Sequence, residues 1–161
     1  MAGKIMNCLW FDKGEARKAA GFYASVFPGS HVGPAMGAPG DFPSGSEGDE
    51  LTVEFTVLGT PFLGLNGGME FKPNEAVSFI VETQDQAETD RYWDALVADG
   101  GEESVCGWLK DRFGLSWQVV PAGWEKILND PDRARADRAM KAMLGMKKLD
   151  IAALEAAADG R

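Results

Sequence analysis

An internal repeat constrains the fold of this chain more than any other feature of its 161 residues. A shift of 70 positions places Leu9 on Phe79 and Phe22-Tyr23 on Tyr92-Trp93. In each copy a short apolar run of strand length precedes a helical pattern with a cap signal, and further strand-like runs follow. Neither copy holds enough apolar residues to fold alone. We therefore expect the two copies to pack across a pseudo-twofold axis and to line a cleft.

In the first copy, Asp12 and Glu15 have the spacing of a capping box, which predicts a helix that ends before Pro28-Gly29. Residues 37–49 are rich in Gly, Pro and Ser and predict either a mobile lid over a pocket or a long hairpin connection. The apolar runs that predict strands in this copy are residues 4–11, 32–36, 51–58 and 62–65.

In the second copy, residues 76–81 predict a strand, and Thr83 with Gln86 predicts a second capping box for a helix that ends at Gly100-Gly101. A further strand is expected over 104–109. The glycines Gly64, Gly67 and Gly68 do not predict a phosphate loop, because the chain runs on toward a strand rather than into a helix.

The stretch 106–121 predicts a hairpin, because apolar runs flank the polar turn 110–114. Its second strand, 115–120, places Trp117 and Val119 on one face and Ser116 and Gln118 on the other. Polar groups that alternate with tryptophans suit a small-molecule cleft, but they equally suit an ordinary sheet edge with tryptophans in the core.

After residue 121 the pattern becomes helical. A short helix is expected around 124–128, a second after the cap Asp130-Pro131 with its end at Gly145, and a third capped by Asp150. We expect this tail, 122–161, to cover the sheet or a partner subunit.

Charge and cysteine content limit the classes of partner. The net charge of −9 and the pI of about 4.6 disfavour binding to nucleic acid and to anionic membranes. No apolar run approaches the roughly 18 residues of a membrane span, and residues 1–12 lack the features of a signal peptide. Cys8 and Cys106 form no metal-binding or redox motif, which favours reduced thiols in a cytoplasmic protein.

Several stretches together resemble the PhnB-like branch of the vicinal oxygen chelate superfamily, which contains glyoxalase, bleomycin-resistance and dioxygenase proteins. This branch is often labelled 3-demethylubiquinone-9 3-methyltransferase domain. The matching stretches are residues 8–12, 22–30, 62–68, 74–79, 85–93 and 106–121, with a tail similarity at 146–151.

The resemblance implies an α+β fold of paired βαβββ modules with a C-terminal helical tail, usually assembled as a homodimer. We therefore expect residues 1–121 to form one domain of two modules, 1–70 and 75–121, and residues 122–161 to form the helical extension. The methyltransferase label has no support in the residues, because no Gly-rich turn joins a strand to a helix ahead of an acidic residue.

The family's chemistry normally rests on a metal held by His and Glu. By strand position, the resemblance places those ligands near Cys8, Asn66, Ser78 and Gln118. None of these is a histidine or a carboxylate, the ligands that a divalent catalytic metal requires, and the single histidine, His31, is expected on the surface. We therefore expect neither a metal nor a cofactor.

The function predicted first is metal-independent binding of a small aromatic or hydrophobic molecule in the cleft between the modules. Alternatives are a metal-dependent lyase or dioxygenase and a dimeric scaffold without a ligand, so it stays open whether any reaction is catalysed. If Gln118 faces inward, Trp117 packs against helices and Trp108 is the better wall. The predicted ligand contacts are Trp10, Phe62, Asn66, Ser78, Trp108 and Gln118.

Overall fold

The computed structural model describes residues 5–161, and the chain divides between Pro73 and Asn74 into two compact units. The first contains β1 (Asn7–Phe11), α1 (Ala16–Val26), β2 (His31–Gly37), β3 (Glu50–Val57) and β4 (Thr60–Asn66). The second contains β5 (Ser78–Thr83), α2 (Gln86–Val97), β6 (Glu102–Glu103), β7 (Trp108–Lys110) and β8 (Ser116–Pro121), then α3 (Trp124–Leu128), α4 (Arg133–Leu144) and α5 (Ile151–Ala158). The expected fold class is confirmed, since the order βαβββ occurs twice and helices follow.

The two sheets have the same topology. Their strand orders are β1-β4-β3-β2 and β5-β8-β7-β6. The first strand of each unit pairs in parallel with the last strand, and the other pairs are antiparallel. A parallel pair needs a crossover connection, which α1 and α2 provide.

In each unit one face of the sheet is covered by its helix. In α1 the buried residues recur at helical spacing (Ala16, Ala19, Ala20 and Tyr23), and Tyr23 stacks on Phe55 of β3. In α2 the buried residues are Thr89, Tyr92, Trp93 and Leu96. The opposite face of each sheet, which we call its open face, carries the alternate residues of every strand.

The C-terminal helices belong to the second unit, and the segment before α5 fixes them there. The amides of Cys106 and Gly107 donate to the carbonyls of Met146 and Lys147, both at 2.7 Å. Leu149 is 1% exposed, and its carbonyl accepts from the Gln86 side chain at 3.0 Å. The extension therefore packs on α2 and on the β6–β7 turn. From residue 5 onward every helix is too short or too polar to span a bilayer.

Three predicted helix caps are wrong by two or three residues. The N-cap of α1 is Glu15 rather than Asp12, and its side chain makes no capping bond. The N-cap of α2 is Asp85 rather than Thr83, and that of α4 is Asp132 rather than Asp130. Asp85 and Glu88 each accept one backbone N–H at 2.8 Å at the start of α2, so a reciprocal box exists two residues later than predicted.

The predicted strand over 104–109 is also wrong, because residues 104–107 form the turn between β6 and β7 and only 108–109 of that range are in a strand. Cys106 has φ of 58° and Gly107 has φ of 80°, and this left-handed region is incompatible with a continuous strand. By contrast, residues 38–49 join the antiparallel strands β2 and β3, as the hairpin alternative predicted. The Ala38 amide donates to the Asp49 carbonyl at 2.8 Å across this connection.

Candidate functional site

Of the predicted contact residues in the first unit, Trp10 lies on the open face of the sheet, one residue before the buried Phe11. Its indole Nε1 donates to the Gly68 carbonyl at 2.7 Å. Its ring meets Phe71 edge-on, with centroids 4.9 Å apart. These contacts hold Trp10 against the segment that follows β4, so its hydrogen-bonding capacity is already used within its own unit.

Phe62 and Asn66 lie on the opposite, helix-covered face. Phe62 is 4% exposed and stacks on Phe55 with centroids 5.3 Å apart. The Asn66 Oδ1 accepts from the Ala16 amide at 3.0 Å, and its Nδ2 donates to the Glu50 carbonyl at 2.7 Å. Asn66 thus satisfies one of the free N–H groups at the start of α1. Both residues have structural roles, and we leave them out of the candidate site.

A hollow of about 420 Å³ does lie along β2, β3 and β4 of the first unit, and Phe62 is the one predicted contact among its lining residues. His31, Glu54, Thr56 and Pro61 are among its lining residues. The His31 Nδ1 and the Thr56 Oγ1 are 2.8 Å apart, so these two polar groups already bond to each other. His31 is exposed at the start of β2, as predicted.

In the second unit the open face brings three of the predicted residues together. Gln118 of β8 lies between Trp108 of β7 and Ile80 of β5, its register partners on the two sides. The Gln118 Nε2 donates to the Ser78 Oγ at 2.9 Å. Whichever end of the amide faces Ser78, the other end stays available to a ligand. We call Trp108, Gln118 and Ile80 the aromatic row.

Trp117 lies against the helices, as predicted for the case in which Gln118 faces the ligand site. It is 3% exposed on the helix-covered face, and its Nε1 donates to the Asp111 carboxylate at 2.9 Å. The indole N–H of Trp93 is also paired, with Glu103 at 3.1 Å. Trp108 is half-buried, and its indole N–H bonds to no residue from 5 to 161. Trp108 therefore presents both a ring and a donor on the open face.

Two residues closer to the β7–β8 turn, on the same face, is a second row, which sequence reasoning did not assemble. Ser116 lies between Lys110 and Ser78 in register, and Lys110 pairs with Glu102 at the sheet edge. We call Glu102, Lys110, Ser116 and Ser78 the polar row. The alternation of β7 and β8 signals Lys110 and Ser116, but Glu102 lies on a strand that the sequence does not predict.

The Lys110 ammonium lies 2.5 Å from a Glu75 carboxylate oxygen. This hydrogen bond raises the pKa of Lys110 and lowers the pKa of Glu75. Both groups are therefore charged near neutral pH, and the lysine is a cation in an ion pair rather than a free amine nucleophile.

The side chains at the family's metal positions do not fit a divalent metal. The positions that the resemblance assigns to ligands hold Cys8 and Asn66 in the first unit and Ser78 and Gln118 in the second, and Asn66 faces α1 rather than the open face. Desolvation raises the pKa of the Cys8 thiol, which weakens it as a thiolate ligand. Residues 5–161 contain no cluster of three or more His, Cys, Asp or Glu side chains arranged to hold a metal.

We predict that protein purified without added metal carries no tightly bound divalent ion, because two hydroxyl or amide groups and one thiol give little charge to hold it. Elemental analysis of the purified chain checks this. About one equivalent of zinc, manganese, iron or nickel per chain, lost in Gln118→Ala, would contradict it.

Comparison with known proteins supports the same family. A family model described as 3-demethylubiquinone-9 3-methyltransferase matches residues 3–120, so the tail similarity at 146–151 lies outside the matched residues. A putative 3-demethylubiquinone-9 3-methyltransferase, PhnB protein, from Bacillus cereus is 29% identical, with a TM-score of 0.66 over 74% of this chain and 100% of that one. No protein of curated function matches significantly.

Two more distant structures share the fold. A protein from Pseudomonas aeruginosa is 21% identical, with a TM-score of 0.59 over 74% of this chain and 98% of that one. The fosfomycin resistance protein FosX from Listeria monocytogenes is 13% identical, with a TM-score of 0.52 over 78% and 98%. The match over 3–120 covers well over half of the chain. The chain therefore belongs to the 3-demethylubiquinone-9 3-methyltransferase (PhnB-like) family.

Proposed function

We propose that the protein binds a small aromatic molecule on the open face of the second sheet and does so without a metal. Trp108 is the wall against which the ligand ring stacks, and Gln118 with Ser78 is the polar anchor. The observation that carries the proposal is the indole N–H of Trp108, which bonds to no other residue in the described part of the chain and lies directly beside Gln118 in register. Ligand sites of this type combine an aromatic wall with a few convergent polar groups.

Ile80 adds apolar surface to the same row. Its side chain is 65% exposed although it lies in the middle of β5, between the half-buried Phe79 and the buried Val81. An exposed branched side chain in the same row as a half-buried tryptophan, on the other side of Gln118, offers apolar area that a ligand can cover, at about 25 cal/mol per Å² of surface removed from water.

We do not carry methyl transfer over from the family's name. The connection from β1 to α1 is Asp12-Lys13-Gly14-Glu15, and that from β5 to α2 is Gln84-Asp85. Neither is the Gly-rich turn at the end of a parallel strand that holds the phosphate or ribose of a nucleotide-type cofactor. The residues present therefore do not fit such a methyl donor.

The test is a calorimetric titration of the protein with planar aromatic compounds. We expect dissociation constants below millimolar, and we expect Trp108→Ala to weaken binding at least several-fold, since aromatic stacking adds about 0.5–1.5 kcal/mol beyond area burial. Gln118→Ala should weaken the binding of those compounds that carry a hydrogen-bonding group. Trp124→Ala, a tryptophan of α3 outside this face, is the matched control. The proposal fails if no compound binds, or if both site variants bind as the unaltered chain does.

We also propose that the chain forms a homodimer, with Met140 and Leu144 of α4 at the interface. These side chains are 42% and 58% exposed, and they lie one helical turn apart on the same face. Light scattering is expected to give about twice the monomer mass of 17.3 kDa. A mass near 17.3 kDa at micromolar concentration would contradict the proposal, and Met140→Lys should produce that mass if α4 is the interface.

A location in the cytoplasm is part of the same proposal. Both cysteines, Cys8 and Cys106, are free thiols in the structure, as suits a reducing compartment.

A further inference from the structure

A small hollow of about 140 Å³ lies beside the aromatic row on the open face of the second sheet. Trp108 forms one side of it, and Ser116, Lys110, Glu75 and Glu102 are among its other lining residues. Since a water molecule occupies about 30 Å³ of liquid, the hollow accommodates a few non-hydrogen atoms. Its size fits the head group of a ligand whose ring lies elsewhere.

The Ser116 hydroxyl indicates that this head group is polar. Ser116 is 2% exposed, and its Oγ is fully buried without a hydrogen-bond partner among residues 5–161. Buried hydroxyls almost always have a partner, because desolvating one without compensation is costly. Ser116 lies in register between Lys110 and Ser78, so its side chain points to the open face that carries the hollow.

The charges around the hollow favour a cation over an anion. Lys110, the one basic residue that lines it, is engaged by the Glu75 carboxylate at 2.5 Å. Glu103 pairs with Lys147 at 2.9 Å. Glu102 forms no ion pair with the described part of the chain, and it sits directly beside Lys110 in register. The lysine thus faces two carboxylates, Glu75 and Glu102, and the lining that Trp108 shares with them keeps an excess of negative charge.

We propose that the polar row binds the ammonium group of an aryl-alkyl amine whose ring stacks on Trp108. This inference rests on the proposed function and names its ligand class. The Ser116 Oγ accepts an N–H of the ammonium, and Glu102 supplies the opposite charge. Residues two apart on a strand are separated by about 7 Å, so a linker of two or three carbons joins ring and ammonium across the two rows.

The test uses three compounds of equal size, namely 2-phenylethylamine, 2-phenylethanol and phenylacetate, titrated calorimetrically at pH 7 and low ionic strength. We expect the amine to bind about tenfold more tightly than the alcohol. A hydrogen bond or ion pair of a charged group contributes more binding free energy than a hydrogen bond between neutral groups, by an amount that corresponds to about tenfold in affinity. The acid should bind most weakly. The preference for the amine should fall with added salt.

Two variants locate the preference. Glu102→Gln should reduce amine affinity about three- to tenfold and leave the affinity for the alcohol nearly unchanged, whereas Ser116→Ala should reduce amine affinity by a similar factor and that for the alcohol by less. Glu54→Gln, an exposed residue on the first unit's sheet, makes the same change in net charge and should leave the preference intact. Glu102 is exposed, so Glu102→Gln carries the test even if Ser116→Ala disturbs folding.

The outcomes separate this inference from the function on which it rests. Equal binding of amine and alcohol, with both weakened by Trp108→Ala, would overturn the amine subsite and keep the aromatic site. Tightest binding by phenylacetate would overturn it in favour of anion binding at Lys110. Amine binding that depends on Glu102 but not on Trp108 would instead overturn the aromatic wall.

Discussion

Asp111→Ala is expected to lower the free energy of unfolding by about 3–5 kcal/mol, since it leaves three donors without their acceptor at roughly 1–3 kcal/mol each. Asp111 is 2% exposed at the start of the β7–β8 turn. Its Oδ1 accepts from the amides of Phe113 at 2.8 Å and Leu115 at 3.1 Å, and its Oδ2 accepts from the Trp117 Nε1 at 2.9 Å. One carboxylate therefore holds both the turn and the largest side chain of β8.

The loss of unfolding free energy is measured by denaturant unfolding, which is monitored by both circular dichroism and tryptophan fluorescence. Asp137→Ala is the matched control, because Asp137 is an exposed residue of α4 in an ion pair with Lys141. Such pairs contribute at most about 1 kcal/mol. A loss below about 1 kcal/mol for Asp111→Ala would show that solvent replaces the carboxylate at all three donors.

Asp111→Asn separates the two functions of the carboxylate. Its amide oxygen can keep the turn, while its amide nitrogen faces the Trp117 N–H, donor against donor. Trp117→Phe removes that conflict. The double variant should therefore be more stable than the sum of the two single losses implies, with a coupling of about 1–2 kcal/mol in a double-mutant cycle.

The order of strands and helix in both units is predictable from the sequence because the repeat shows it twice. Each βαβββ copy needs a helix that covers one face of the sheet, and the spacing of Tyr23 and of Trp93 within their helices marks those faces directly. The alternation on β8 is equally local, so the opposite faces of Trp117 and Gln118 follow from residue order alone.

Which residues line the candidate site is less predictable, because packing against the helix decides which face of a strand is covered. On β4 the sequence has apolar or small residues on both faces, and Phe62 and Asn66 alternate with Leu63 and Leu65. Only the contact with α1 decides which set is covered. Asn66 caps a helix that starts 50 residues earlier in the chain, a relation that no local pattern encodes.

Strand β6 shows the same limit at the sheet edge. It is two glutamates long, and only its pairing with Lys110 and Leu109 makes it a strand. Because Glu102 enters the polar row through that pairing, the acidic side of the hollow cannot be derived from hydrophobic periodicity.

Gly64→Val is expected to destabilise the first unit by about 3 kcal/mol or more, through overpacking between β4 and α1. A Cβ placed on Gly64 would lie 2.8 Å from the Ala16 Cβ and 3.3 Å from the Phe11 ring. Ala16 is fully buried at the start of α1, so the helix itself must move to admit the side chain. The glycine is thus needed for close approach of helix and strand, and not for holding a phosphate.

Exchanging the sizes of residues 16 and 64 tests whether the contact with Ala16 causes the loss, or whether β4 is destabilised by any larger residue at position 64. Gly64→Ala alone should cost about 1–3 kcal/mol, and Ala16→Gly alone about 1 kcal/mol. Combined, they move the methyl group from helix to strand, so the double variant should recover most of the first loss. Gly21→Ala is the control, since Gly21 lies in α1 with no atom within 4 Å of the added Cβ, and it should stabilise by up to about 1 kcal/mol. Stability is measured by chemical denaturation. If the double variant loses as much stability as the two single variants together, contact with Ala16 is not the reason that residue 64 must be glycine.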